Sequence, residues 1–289
     1  MDTLTFKSYG KINLALEVTN KRSDGYHNLF SVMQTIELHD KITFIESSEI
    51  LVESDNESIN KSGNIITKTI NLLKDYSKTK KGISVYLEKK IPVSSGLGGG
   101  SSNSAVVLNV LNKLWDLKIN PSALQELSAS IGSDVPFFMK GGTALIQDRG
   151  NNVLQLHKIR KLWILLVPEK NLMSNKTQNV YNNLKASNFS DGSNTLKLKN
   201  TIEANQKISN SSMLNSLKEA AMDLFPNLVK TEATMIQSGA KSVHLSGSGP
   251  TLFATFQTKK SAEKVQHFLA MNNINSLLTS TVNDNRWNK

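Results

Sequence analysis

The 289-residue chain contains no cysteine, which excludes disulfides, thiolate nucleophiles and cysteine-ligated zinc or iron–sulfur centres. Histidine is scarce too. The five present, His27, His39, His157, His244 and His267, show no HExxH or comparable spacing, so we expect no tightly held transition metal. No segment approaches the roughly 18 uninterrupted apolar residues needed to cross a bilayer, and Leu162 to Val167 is only strand-sized. Met1-Asp2-Thr3-Leu4-Thr5-Phe6 has neither a basic segment leading into an apolar run nor an Arg- and Ser-rich transit character. These absences predict a soluble cytoplasmic protein without a membrane partner. The balance of 34 Lys+Arg against 24 Asp+Glu gives a net charge of +10, which suits an anionic partner without identifying it. The lysines are spread along the chain as solvated surface charge. Aromatic residues are few, at 6%, and there is no dense Lys/Arg block, so we expect no nucleic-acid partner. Oligomeric state is not legible in the sequence.

What is present reads as an α+β chain. Its length suggests two domains, set at residues 1–150 and 151–289, where the chain changes character near Gly150-Asn151. Residues 12–18 alternate, with Ile12, Leu14, Leu16 and Val18 on one face, predicting a half-buried strand with Lys11 and Asn13 on its non-core face. A second alternating run, Ile83 to Leu87, precedes Ile91-Pro92, and Ile65 to Leu73 has helical spacing. Ser101-Ser102 are read as caps of a helix striped by Val107, Val110, Leu111 and Leu114. A further helix begins near Pro121 and stops at Gly132, after which Pro136 keeps Val135 from helical dihedrals and leaves Asp134 in a loop. Beyond a strand at 162–167, the Asn-, Ser- and Lys-rich stretch 185–212 reads as a long surface loop with a short helix. Helices follow at 213–222, 228–238 and 262–271, with strands at 242–245, 252–256 and 274–279.

The segment Pro92-Val93-Ser94-Ser95-Gly96-Leu97-Gly98-Gly99-Gly100-Ser101-Ser102-Asn103 carries the most chemistry. Glycines let the backbone turn through positive φ and approach a ligand closely, and the following helix offers free N–H groups at its positive end. A polyphosphate is the natural occupant. The spacing is not that of a Walker loop, and it fits a Rossmann GxGxxG poorly.

The same segment resembles the ATP-binding loop of the GHMP kinases. Lys11-Ile12-Asn13-Leu14 near the start and Leu245-Ser246-Gly247-Ser248-Gly249-Pro250-Thr251 near the end match that family in the right order. Arg22 to Leu29 and Ile131 to Phe138 resemble the members whose alcohol substrate is a cytidylated methylerythritol. The resemblance implies a two-domain GHMP kinase fold, with a ribosomal-protein-S5-domain-2-like first half and a ferredoxin-like second half. It also implies ATP and substrate-borne Mg2+ as cofactors.

Carried over residue by residue, Asp134 would be the base and Lys11 the cation that orients it. Pro92, Ser94, Gly96, Leu97, Gly98, Gly99, Gly100, Ser101, Ser102 and Asn103 would hold ATP, with Asn64, Lys89 and Lys90 toward adenine. Asn13 and Thr177 would bind the polyol, while Tyr26, His27 and Tyr181 would surround cytosine. Gly247, Ser248 and Gly249 would bring backbone N–H groups near the substrate diphosphate. Asn103 stands where many relatives place Asp, and Tyr9-Gly10 where Pro-Ala is usual. A GHMP kinase for another alcohol and, because the fold of the first half also occurs in RNA-handling proteins, an RNA-binding protein are the alternative readings.

Overall fold

Two nineteen-residue strands, β1 (Thr3–Lys21) and β2 (His27–Ile45), pair antiparallel and organise the first half of the chain. In this computed structural model residues 3–57, 59, 64–169 and 173–283 are described, so Met1 and Asp2 of the N-terminal reading lie outside them. The other edge of β2 is shared by β4 (Ile83–Glu88) and β5 (Thr143–Asp148). The sheet is completed by β3 (Ile50–Ser54) beside β4 and β6 (Asn152–Gln155) beside β5. Helices α1 (Ile65–Ser77), α2 (Gly99–Leu114), α3 (Pro121–Ile131) and α4 (Val135–Phe138) cover one face. There Ile66, Ile70, Val107, Leu111 and Phe137 meet Ile42, Phe44 and Val85 in a buried cluster.

The second half builds a four-stranded antiparallel sheet. Its members are β7 (Trp163–Pro168), β8 (His244–Leu245), β9 (Thr251–Phe256) and β10 (Leu277–Ser280), in the order β10-β7-β9-β8. Around it lie α5 (Lys176–Asn182), α6 (Ser193–Glu203), α7 (Lys218–Leu224), α8 (Asn227–Gln237) and α9 (Lys259–Met271). A buried cluster joins the halves: Ile12, Leu14, Val32 and Leu145 pack with Ile164, Leu198, Ile202 and Phe253. Among the described residues no helix is long and apolar enough to cross a membrane.

Several local expectations are corrected. The segment 12–18 is not half-buried: Lys11, Asn13 and Glu17 are as buried as Ile12 and Leu14. The second half covers their side, through backbone bonds between Leu16 and Leu214 and Ser216 and through Glu17, which accepts from Thr195 N at 2.5 Å. Ser101 and Ser102 do not cap α2. Gly98, at φ 72°, begins that helix with no side-chain cap, so both serines fall inside it. Val135 is helical despite Pro136, because a proline in a helix's first turn needs no N–H donor; Asp134 is therefore the residue that opens α4. The stretch 185–212 is not mainly loop, since α6 buries Thr195, Leu198 and Ile202. Residues 213–217 pair with β1 instead of forming the first turns of a helix, which starts only at Lys218.

Candidate active site

Lys11 lies where β1 passes beneath the glycine-rich loop, its N–H donating to the Leu97 carbonyl at 2.9 Å. Its buried ammonium donates to Asn13 Oδ1 at 2.8 Å and approaches Asp134 Oδ2 at 3.4 Å. Asn13 passes the chain on to Ser31 Oγ at 2.8 Å, and Ser31 donates to the Ala15 carbonyl at 2.7 Å. The lysine is thus fixed from two sides. The more exposed Asp134 keeps one edge open to a cavity of about 990 Å³.

The loop wedges between β1 and the turn after β8. Gly96 has φ 84°, and a Cβ there would sit 2.2 Å from the Ser246 carbonyl oxygen. A Cβ at Gly98 would strike the Phe138 ring at 2.8 Å. Only glycine fits at either position. The opposing turn closes on Lys11, since a Cβ at Gly247 would lie 3.1 Å from its Nζ. The Gly249 N–H is spent on the Ser246 carbonyl at 2.8 Å, so it is not free to meet a diphosphate as expected.

The cavity runs from Ser94, Gly96 and Gly98 past Lys11, Asn13 and Asp134 to Tyr26, His27, Thr177 and Tyr181, with Gly247 and Ser248 on its wall. Tyr26, at the Asp24-Gly25 turn, is half exposed, and its ring is covered by the Arg149 guanidinium at 3.7 Å, which also nears Asp24 at 3.6 Å. The buried His27 packs on Tyr181 at 5.1 Å and Phe189 at 6.1 Å. Burial, then Lys21, lowers the His27 pKa, keeping the ring neutral. Burial pushes the Tyr181 phenol up, reinforced by Asp134. Thr177 reaches Ser248 Oγ at 3.1 Å.

The adenine-side expectations lie apart from this cavity. Asn64 caps α1 through its Oδ1 at 2.8 Å from Ile66 N, and its amide nitrogen is buried without a partner. Lys89 is not free for ATP. Its ammonium is buried against Asp40 at 2.7 Å and donates to the Ile91 carbonyl. Burial lowers its pKa, and the Asp40 charge opposes that shift. Lys90 is exposed, with its N–H on Asp40 at 2.8 Å. Asn103 is buried with an unpartnered Oδ1.

Sequence reasoning missed Arg149 and Lys176. Neither belongs to a motif, and only the fold brings both to the cavity. Lys176 is buried at the start of α5 and donates to the Gly249 carbonyl. Burial and Lys11 lower its pKa to about 8, against the pull of Asp134.

Residues 64–142 match the model of the GHMP kinases N terminal domain, and residues 195–274 the GHMP kinases C terminal model. A 4-diphosphocytidyl-2-C-methyl-D-erythritol kinase of Dehalococcoides mccartyi is 39% identical over 280 residues, covering 96% of this chain and 98% of the relative. The chain belongs to the GHMP kinase family. A Bacillus subtilis kinase of the same name is 37% identical to this GHMP kinase, covering 91% of each chain. The crystal structure of a 4-(cytidine 5'-diphospho)-2C-methyl-D-erythritol kinase overlays with TM-score 0.81 at 24% identity, covering 96% of this chain and 99% of that one. A homoserine kinase from Cytophaga hutchinsonii gives 0.77 at 17%. The two-domain GHMP kinase fold is therefore that of this chain.

Proposed function

We propose that this GHMP kinase moves the terminal phosphoryl group of ATP to the 2-hydroxyl of 4-diphosphocytidyl-2-C-methyl-D-erythritol, in the non-mevalonate route to isoprenoid precursors. The observation that carries the reading is the Lys11–Asp134 pair, 3.4 Å apart where the glycine loop opens into the cavity. The hydroxyl oxygen forms a bond to the γ-phosphorus as the bond to the β-phosphate oxygen breaks, ADP leaves, and the hydroxyl proton passes to the Asp134 carboxylate. Lys11, held by Asn13, steadies that carboxylate and the charge spreading over the phosphoryl oxygens. The glycine loop and the N-terminus of α2 receive the ATP phosphates.

Tyr26, His27 and Tyr181 supply the aromatic end for cytosine, and Asn13 and Thr177 face the polyol. Mg2+ suits this site as a passenger of the phosphates. Among the described residues no group of three or more His, Asp or Glu could hold it, and Asn103 offers a neutral oxygen in place of a carboxylate. Bound there, the ion neutralises phosphate charge. Residues 1–150 carry the loop and base and 151–289 complete the cleft, in the cytoplasmic setting expected from the sequence.

The reading is tested by ATP consumption with Mg2+ and the cytidylated alcohol, beside mevalonate, homoserine and galactose. Turnover with the cytidylated alcohol alone is expected; turnover with a control alcohol instead would discard the cytosine pocket. Asp134→Asn is expected to lower turnover by ~10²–10⁴ with an unchanged unfolding midpoint, and a near-normal rate would remove Asp134 as the base.

A further inference from the structure

Among the described residues, the charged groups that line the cavity pair off except one. Asp24 meets Arg22 and Arg149, and Asp134 meets Lys11. Lys176 also lines the cavity, is 7% exposed, and has no ion-paired carboxylate among the described residues. Two buried ammonium groups therefore share the influence of Asp134, and its charge lies nearer Lys11. An unpaired buried cation is costly, and an arriving anion relieves that cost.

The position of Lys176 indicates which anion. Its ammonium donates to the Gly249 carbonyl. That same carbonyl oxygen lies 2.9 Å from where a Cβ on Gly96 would stand. The cation is thus one hydrogen bond from an atom that touches the tip of the glycine loop, and it sits on α5, beside Thr177, whose hydroxyl is 3.1 Å from Ser248. Lys11 approaches the loop from β1, and its ammonium lies 3.1 Å from where a Cβ on Gly247 of the same turn would stand.

We propose that Lys176 is a catalytic residue whose ammonium contacts the phosphoryl group in transit and shares with Lys11 the neutralisation of its oxygens. The assignment rests on the kinase reading above. A loose phosphoryl-transfer transition state spreads charge over three oxygens, so a second cation beside Lys11 stabilises it more than either bound substrate. No proton moves to or from Lys176 in the step.

The test compares wild type, Lys176→Gln and Lys176→Arg with Mg-ATP and the cytidylated alcohol. Glutamine retains an N–H donor for Gly249 without the charge, so a mere tether survives that change. The expected result is a ~10²-fold loss of kcat in Lys176→Gln, with both KM values within a few fold and the unfolding midpoint retained. Lys176→Arg should recover most of the rate.

The charged groups acting on Lys176 are Lys11 from β1 and Asp134 before α4. Wild-type kcat/KM is accordingly expected to fall above about pH 8, as the ammonium loses its proton. That limb should vanish in Lys176→Arg. Wild-type rates in Lys176→Gln, a loss confined to either KM, or an alkaline limb unchanged in Lys176→Arg would each overturn the assignment. A wild type silent with all four alcohols would instead fail the kinase reading and remove the proposal with it.

Discussion

His244 sits under Phe253 with its Nε2 2.9 Å from Ser242 Oγ, and burial holds its pKa down to about 4, with Lys218 adding to the effect. The unfolded ring protonates near 6.5, so between those values the unfolded chain binds the extra proton. Stability is therefore expected to fall as pH drops from about 6.5 toward about 4, by up to about 3 kcal/mol. Urea midpoints across that range should show the loss in wild type and much less of it in His244→Asn. His244 was an unremarked histidine in the sequence. Lys11, Asn13 and Asp134, by contrast, were legible because a motif tied each to the others in chain order, while the structure shows them tied in space. Lys176 and Arg149 stayed hidden among 34 basic residues, since a lone cation acquires meaning only from what folding places beside it.

The edge from β2 to the glycine loop depends on one ion pair. Asp40 is fully buried and accepts from Lys89 Nζ at 2.7 Å and from the Lys90 and Ile91 N–H groups at 2.8 Å each. Asp40→Asn leaves the Lys89 ammonium buried without its counter-charge, an expected loss of about 3–5 kcal/mol. Adding Lys89→Met should recover part of that loss in the unfolding midpoint; an additive double variant would contradict the pairing. At this scale the sequence revealed the periodic elements well: α3 stops at Gly132 as expected, α8 lies one residue earlier than expected, and α9 starts three residues earlier and ends at Met271 as expected. It failed where tertiary contacts override local preference. The polar face of α6 resembles loop composition, yet Glu17 supplies the acceptor for its first turn. Residues 213–217 gain backbone partners on β1 that helical periodicity does not announce.

The two sheets share a buried apolar cluster, with Phe253 packed among Ile12, Leu14 and Leu145. Neither half can lose its fold without exposing the other's core, so one cooperative transition is expected. Trp115 reports from the first sheet's core and Trp163 from β7. With Trp287→Phe as background, variants keeping one or the other tryptophan should unfold at the same urea concentration. Separate midpoints would make the halves independent. The cavity itself spans both halves, reaching the glycine loop at Ser94, Gly96 and Gly98 while Asn64 and Lys89 stay outside its lining. On the proposed assignment, a small inhibitor confined to the Tyr26, His27 and Tyr181 end of that cavity, away from the glycine loop, would compete with the alcohol without meeting cellular ATP, and would avoid the resemblance among ATP sites that blunts selectivity elsewhere.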